Sequence, residues 1–191
     1  MKIIILVPIY NDWKSVSKLI EEINSKVSGL NGIFSIIIVN DASSEQQSIY
    51  APNLENLQTV KIINMKENRG HARCNAAGLK YIFENEEFDY VIPMDGDGED
   101  KPEEIKNFVE YISYTPDKTI VGERVKRTEN LFFKFCYSFH KILTFAFTGQ
   151  SIKFGNFTCL PKSTVKKMIN DKATWSSFSG ALTKVEKDRS A

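Results

Sequence analysis

The sequence predicts an α/β fold, a single domain with a mainly parallel sheet flanked by helices. Continuous apolar, β-branched runs recur at residues 3–7, 34–39, 60–63 and 90–94, and most are separated by stretches whose apolar residues recur at helical spacing. That alternation reads as a βαβ series. Each polar cluster follows one of those runs, and in such sheets ligands bind outside the carboxyl ends of the strands.

The elements follow in order. Residues 3–7 read as a strand buried on both faces. Val16, Leu19, Ile20, Ile23 and Val27 then recur at helical spacing after the capping candidates Asn11 and Asp12, with Gly29 where that helix should end. Residues 34–39 and 60–63 read as the second and third strands, and Ala72, Ala76, Leu79 and Phe83 mark the next helix face. Residues 90–94 form the fourth strand, Ile105, Phe108, Val109 and Ile112 a further helix, and residues 119–121 a short strand.

At 191 residues the chain suits one domain with a sizeable core, and 42% hydrophobic with 26% charged residues excludes a disordered or fibrous protein. A formal net charge of +1 gives no global attraction to nucleic acid. Cys74, Cys136 and Cys159 lie far apart without a C-x-x-C pair, which argues for a reduced, cytoplasmic protein and against a disulfide scaffold or zinc site. The apolar run before Pro8 is too short for a signal-peptide core or a membrane span, so the expectation is a cytoplasmic chain.

The fourth strand stops on Asp95-Gly96-Asp97-Gly98-Glu99-Asp100. Carboxylates packed this densely repel one another, and a cation among them, Mg²⁺ or Mn²⁺, relieves the repulsion. Such an ion usually completes its shell with phosphate oxygens, which makes a diphosphate the natural guest. The same residues also suit a solvated turn capping the next helix. Three other clusters carry chemistry: Pro8-Ile9-Tyr10-Asn11-Asp12 offers an aromatic ring and short polar groups, Asp41 with Ser43 a carboxylate for a nucleobase or ribose, and residues 68–75 a helix start bearing Arg69 and Arg73 for the diphosphate or base. Each is equally a set of turn residues and helix caps. His71 and His140 lack metal-ligand spacing and read as surface or satisfied histidines.

In this order, Val7-Pro8-Ile9-Tyr10-Asn11, Val39-Asn40-Asp41-Ala42-Ser43, Asn68-Arg69-Gly70 with Ala72-Arg73-Asn75, and Met94-Asp95-Gly96-Asp97 closely resemble the family 2 glycosyltransferases of GT-A, Rossmann-like fold. The resemblance covers about residues 1–165, with nucleotide-sugar binding in 1–100 and the acceptor side in 101–165. It implies a UDP-, GDP- or dTDP-sugar donor, with Pro8, Tyr10, Asp12 and Asp41 around base and ribose. Asp95 and Asp97 become the D-x-D pair, Asp97 the firmest metal ligand and Glu99 the match to a frequent third.

Gly122-Glu123-Arg124 resembles the Gly-Ser-Arg element of polyprenyl-phosphate sugar transferases such as dolichyl-phosphate mannose synthase. There the arginine serves the acceptor phosphate, a role that would fall to Arg124, with Lys126 and Arg127 adding charge nearby. Residues 131–147 carry Lys134, Ser138 and Lys141 on one helical stripe and Phe132, Phe135, Phe139, Ile142 and Phe147 on the rest. That suits a helix in the membrane interface, hence a peripheral place on the cytoplasmic face, and equally a core helix. Asn156 and Thr158 stand where relatives often have aspartate and arginine. Asparagine cannot act as a base, but a phosphate acceptor is already ionised and needs none.

Residues 166–191 are weakly patterned and form a short tail, lacking the Arg-rich segment and membrane helices of many relatives. This fits either a shortened form or anchoring by a separate membrane partner. Two alternatives stand beside sugar transfer to polyprenyl phosphate. One is transfer to a saccharide hydroxyl, with Glu186 or Asp188 folding back as a base. The other is a non-catalytic nucleotide-sugar-binding relative.

Overall fold

A computed structural model describes residues 1–49, 54–123 and 154–190. Its first strand, β1 (Lys2–Ile9), pairs in parallel with β2 (Ile33–Asn40) on one side and β4 (Tyr90–Pro93) on the other, and β3 (Leu57–Asn64) extends β2 in parallel. β5 (Thr119–Glu123) and β6 (Phe154–Pro161) continue the sheet, with β6 antiparallel to both β4 and β5, and β7 (Arg189–Ser190) lies parallel to β5. The order is β3-β2-β1-β4-β6-β5-β7. The expected α/β architecture with a mostly parallel sheet is therefore the observed one.

The doubly apolar strands make physical sense here. On β1, Ile3, Ile5 and Val7 face one core with Ile36 and Ile38, while Ile4 and Leu6 face a second core with Ile37 and Val39. Helices α1 (Trp13–Lys26) and α3 (Ile105–Tyr114) cover the first core through Val16, Leu19, Ile20, Ile23, Ile105, Phe108, Val109 and Ile112. Helix α2 (His71–Asn85) covers the second through Cys74, Leu79 and Ile82. It rides close to the sheet because Gly78 has no side chain: a Cβ there would lie 2.4 Å from Leu6 Cδ1 and 3.0 Å from Val39 Cγ2. β3 runs further than its apolar pattern because Gln58 and Thr59 are exposed while the main chain still pairs with β2.

The weakly patterned segment after Lys162 is folded onto that second core. It forms α4 (Lys162–Ile169), a 3₁₀ turn at Lys172–Trp175 and α5 (Phe178–Val185), which bury Val165, Met168, Phe178, Ala181 and Leu182. The Asp171 carboxylate accepts the Ala173 N–H and the Ser177 hydroxyl the Gly180 N–H, capping the last two elements. Among the described residues no helix is long and apolar enough to cross a membrane.

Because β1, β2 and β4 run in the same direction, their carboxyl ends open at one edge of the sheet. β6 runs the other way, with Pro161 opposite Tyr90, so its first residues reach that same edge.

Candidate functional site

A pocket of about 330 Å³ lies at that edge, lined by Pro8, Ile9, Tyr10, Asp12, His71, Asp95, Gly96, Asp97 and Asn156. Gly96 lets the acidic loop close over the end of β1: a Cβ there would lie 3.3 Å from the Pro8 carbonyl oxygen and 3.2 Å from Ile9 Cγ2. Tyr10 is half exposed beside it, a ring available for stacking. Asp12 lines the pocket and also caps α1, its Oδ1 accepting the Ser15 N–H at 3.2 Å.

The two aspartates are held differently. Asp95 donates its own N–H to Asp100 Oδ2 at 2.8 Å, while its Oδ1 stands 3.2 Å from Asn156 Nδ2 and 3.3 Å from His71 Nε2. Asp97 is exposed, and its Oδ1 accepts the Glu99 N–H at 2.9 Å. Among the described residues no group of three or more His, Cys, Asp or Glu side chains stands in a metal-ligating arrangement. The pair Asp95 and Asp97 nevertheless fits Mg²⁺ or Mn²⁺, which is commonly held by one or two carboxylate oxygens and completed by water and phosphate. Glu99 is exposed and lies outside the pocket lining.

Asp41 is not among the residues that line this pocket. Its side chain is buried, Oδ1 accepts the Arg69 N–H and Oδ2 the Gly70 N–H, both at 2.8 Å. Burial, then the hydrogen bond to Asp41 and its charge, push the Cys74 thiol up to about 12. The carboxylate thus clamps the turn that starts α2. Neighbouring polar residues knit the loops in the same way: Asn11 donates its N–H to Ser43 Oγ and its Nδ2 to Ser44 Oγ, and Asn40 Nδ2 donates to Asn64 Oδ1. No side chain caps the start of α2, and Arg73 is exposed on its first turn. Arg69 is exposed, with its guanidinium on Glu67.

Several expected residues fall elsewhere. Arg124, Lys126, Arg127 and residues 131–147 lie outside the described residues. Of their flanks, Glu123 pairs with Phe154, two residues before Asn156 on β6. Glu186 accepts from Lys167 Nζ and Asp188 pairs with Lys118, near the opposite end of β5, where Thr119 meets Thr164. Neither acid reaches the pocket. The residue that sequence reasoning passed over is His71, which lines the site. Its signal was position, inside the 68–75 cluster and at the first residue of α2.

The model of the family described as Glycosyl transferase family 2 matches residues 4–174. The chain belongs to glycosyl transferase family 2. This family 2 chain is 26% identical, over 88% of its length and 50% of the relative's, to the undecaprenyl-phosphate 4-deoxy-4-formamido-L-arabinose transferase of Proteus mirabilis. It is 28% identical, over 66% of its length and 34% of the relative's, to the dolichol-phosphate mannosyltransferase of Pyrococcus furiosus. The chain thus spans about half or less of these curated relatives. Among solved structures it resembles the mannosyltransferase PcManGT from Pyrobaculum calidifontis in complex with GDP-Man and Mn²⁺, with a TM-score of 0.58 and 16% identity over 99% of this chain and 54% of that one. It also resembles S. aureus TarS 1–349 in complex with UDP-GlcNAc, with a TM-score of 0.52 and 17% identity over 87% of this chain and 47% of that one. The fold is GT-A, and the chain is a glycosyltransferase of family 2.

Proposed function

We propose that this chain transfers a sugar from a nucleotide-sugar donor to a polyprenyl phosphate, with Mg²⁺ or Mn²⁺ held by Asp95 and Asp97. The observation that carries the reading is the meeting of both aspartates with Tyr10 and Asp12 in one pocket at the strand ends. Tyr10 stacks the base, Asp12 accepts from base or ribose, and the uncapped start of α2 with Arg69 and Arg73 faces the diphosphate. A bound divalent ion supplies charge neutralisation of the leaving diphosphate.

The acceptor side supports the same reading. An ionised phosphate oxygen attacks the anomeric carbon as the bond to the diphosphate breaks, releasing a nucleoside diphosphate. That reaction needs positioning but no proton acceptor. Asn156, an amide, lines the pocket from β6, and Arg124, Lys126 and Arg127 would supply the charge for a phosphate. The many apolar residues within 131–147 would suit contact with the cytoplasmic lipid surface. The polyprenyl-phosphate transferases among the relatives, although matched over only half or less of their length, point to the same acceptor class.

Transfer to a saccharide hydroxyl is the second reading, and His71 favours it, since an imidazole in the pocket is a potential proton acceptor. Incubation with UDP-, GDP- and dTDP-sugars, Mn²⁺ and polyprenyl phosphate in vesicles separates the two. Labelled sugar extracted into organic solvent supports the lipid acceptor. Label retained on a soluble saccharide instead overturns it.

A further inference from the structure

Side chains from three parts of the fold converge on one ring nitrogen. His71 Nε2 stands 2.6 Å from Asn156 Nδ2, 2.9 Å from Asn75 Nδ2 and 3.3 Å from Asp95 Oδ1. A neutral imidazole nitrogen offers either one lone pair or one N–H. The Asn156 amide has two N–H groups, and it stands between His71 Nε2 and Asp95 Oδ1, the latter at 3.2 Å. Asn156 thus bridges β6 to the carboxylate and to the first residue of α2.

We propose that Asn156 is a positioning residue for Asp95. It aims the carboxylate into the pocket from the strand that leads to the acceptor side, and it rests in turn on His71. The main chain of Asp95 is fixed independently by Asp100, so the Asn156 amide governs the side chain and not the course of the loop. The neutral amide can act on the ion only through Asp95, whereas a carboxylate at 156 would itself attract a cation. The inference rests on Asp95 serving the divalent ion, as in the proposed function.

Mn²⁺ binding, followed by the electron paramagnetic resonance of the free ion with and without UDP or GDP, tests this without turnover. Asn156→Ala should weaken Mn²⁺ binding by about tenfold, a typical cost of removing a group that orients a metal ligand. Asn156→Asp should strengthen it, and His71→Ala combined with Asn156→Ala should cost little more than Asn156→Ala alone. Melting temperatures close to wild type accompany the expected result. A merely structural role would lower Mn²⁺ affinity in Asn156→Ala only together with the melting temperature. Unchanged Mn²⁺ affinity in Asn156→Ala, or equal losses in both variants with lowered melting temperatures, overturns the positioning role while leaving the proposed function standing. A wild-type chain that binds no Mn²⁺ in the presence of either nucleotide overturns both.

Discussion

Replacing Asp41 tests whether the carboxylate at the end of β2 acts on the nucleotide or on the fold around it. Each Asp41 oxygen accepts one main-chain N–H, from Arg69 and from Gly70, at 2.8 Å in a buried setting. Asp41→Asn keeps one acceptor and turns an NH₂ group toward the other N–H. The loss of one hydrogen bond to a charged acceptor is worth about 1.5–3 kcal/mol, and the unsatisfied donor adds to it. Asp41→Ala removes both acceptors and should cost about 3 kcal/mol or more. Urea denaturation measures the loss, and calorimetric titration with UDP and GDP plus Mn²⁺ measures nucleotide affinity on the same samples. The expected outcome is a graded loss of stability, Ala beyond Asn, with nucleotide affinity falling because the start of α2 is no longer held. An Asp41→Asn protein as stable as wild type that has lost nucleotide binding would refute the reasoning and return Asp41 to direct contact with base or ribose.

Further outcomes follow from the same geometry. Asp97→Asn removes a ligand charge while keeping shape, so Mn²⁺-dependent nucleotide binding should weaken by about tenfold, or roughly 1.4 kcal/mol, in calorimetry; unchanged affinity removes Asp97 from the metal site. Arg124→Lys keeps charge but loses the two-point fork, so transfer to polyprenyl phosphate should fall far more than donor affinity, and intact transfer counts against the phosphate-binding role. The Cys74 thiol titrates at about 12 in the fold against an ordinary 9.0, so the native state holds its proton where the unfolded chain releases it. Its contribution to stability is full below pH 9 and is lost as pH rises towards 12. Thermal unfolding at a series of alkaline pH values should therefore show a shallower decline for Cys74→Ser, whose hydroxyl does not ionise there; parallel curves would refute this.

Local pattern determined much of this protein. Strands β1, β2 and β4 were legible because burial on both faces demands unbroken apolar runs, and α1 and α3 because one buried stripe demands helical spacing. That the aspartates after β4 sit at a strand end was legible from the apolar run before them. What lay beyond the sequence is long-range. Asn156 meets His71 across 85 positions and Asp95 across 61, through the antiparallel placement of β6 that no local periodicity encodes. His71 looked solitary because two of its partners, Asn156 and Asp95, arrive from β6 and the acidic loop. That Asp41 accepts the Arg69 and Gly70 N–H groups was not legible, because they belong to a turn 28 and 29 positions away. The segment after Lys162 looked unpatterned because α4 and α5 are only 8 residues each, too short for a convincing stripe, and they owe their stability to the core they cover. Periodicity reports which face of an element is buried, but only the packed sheet decides which distant residue it is buried against.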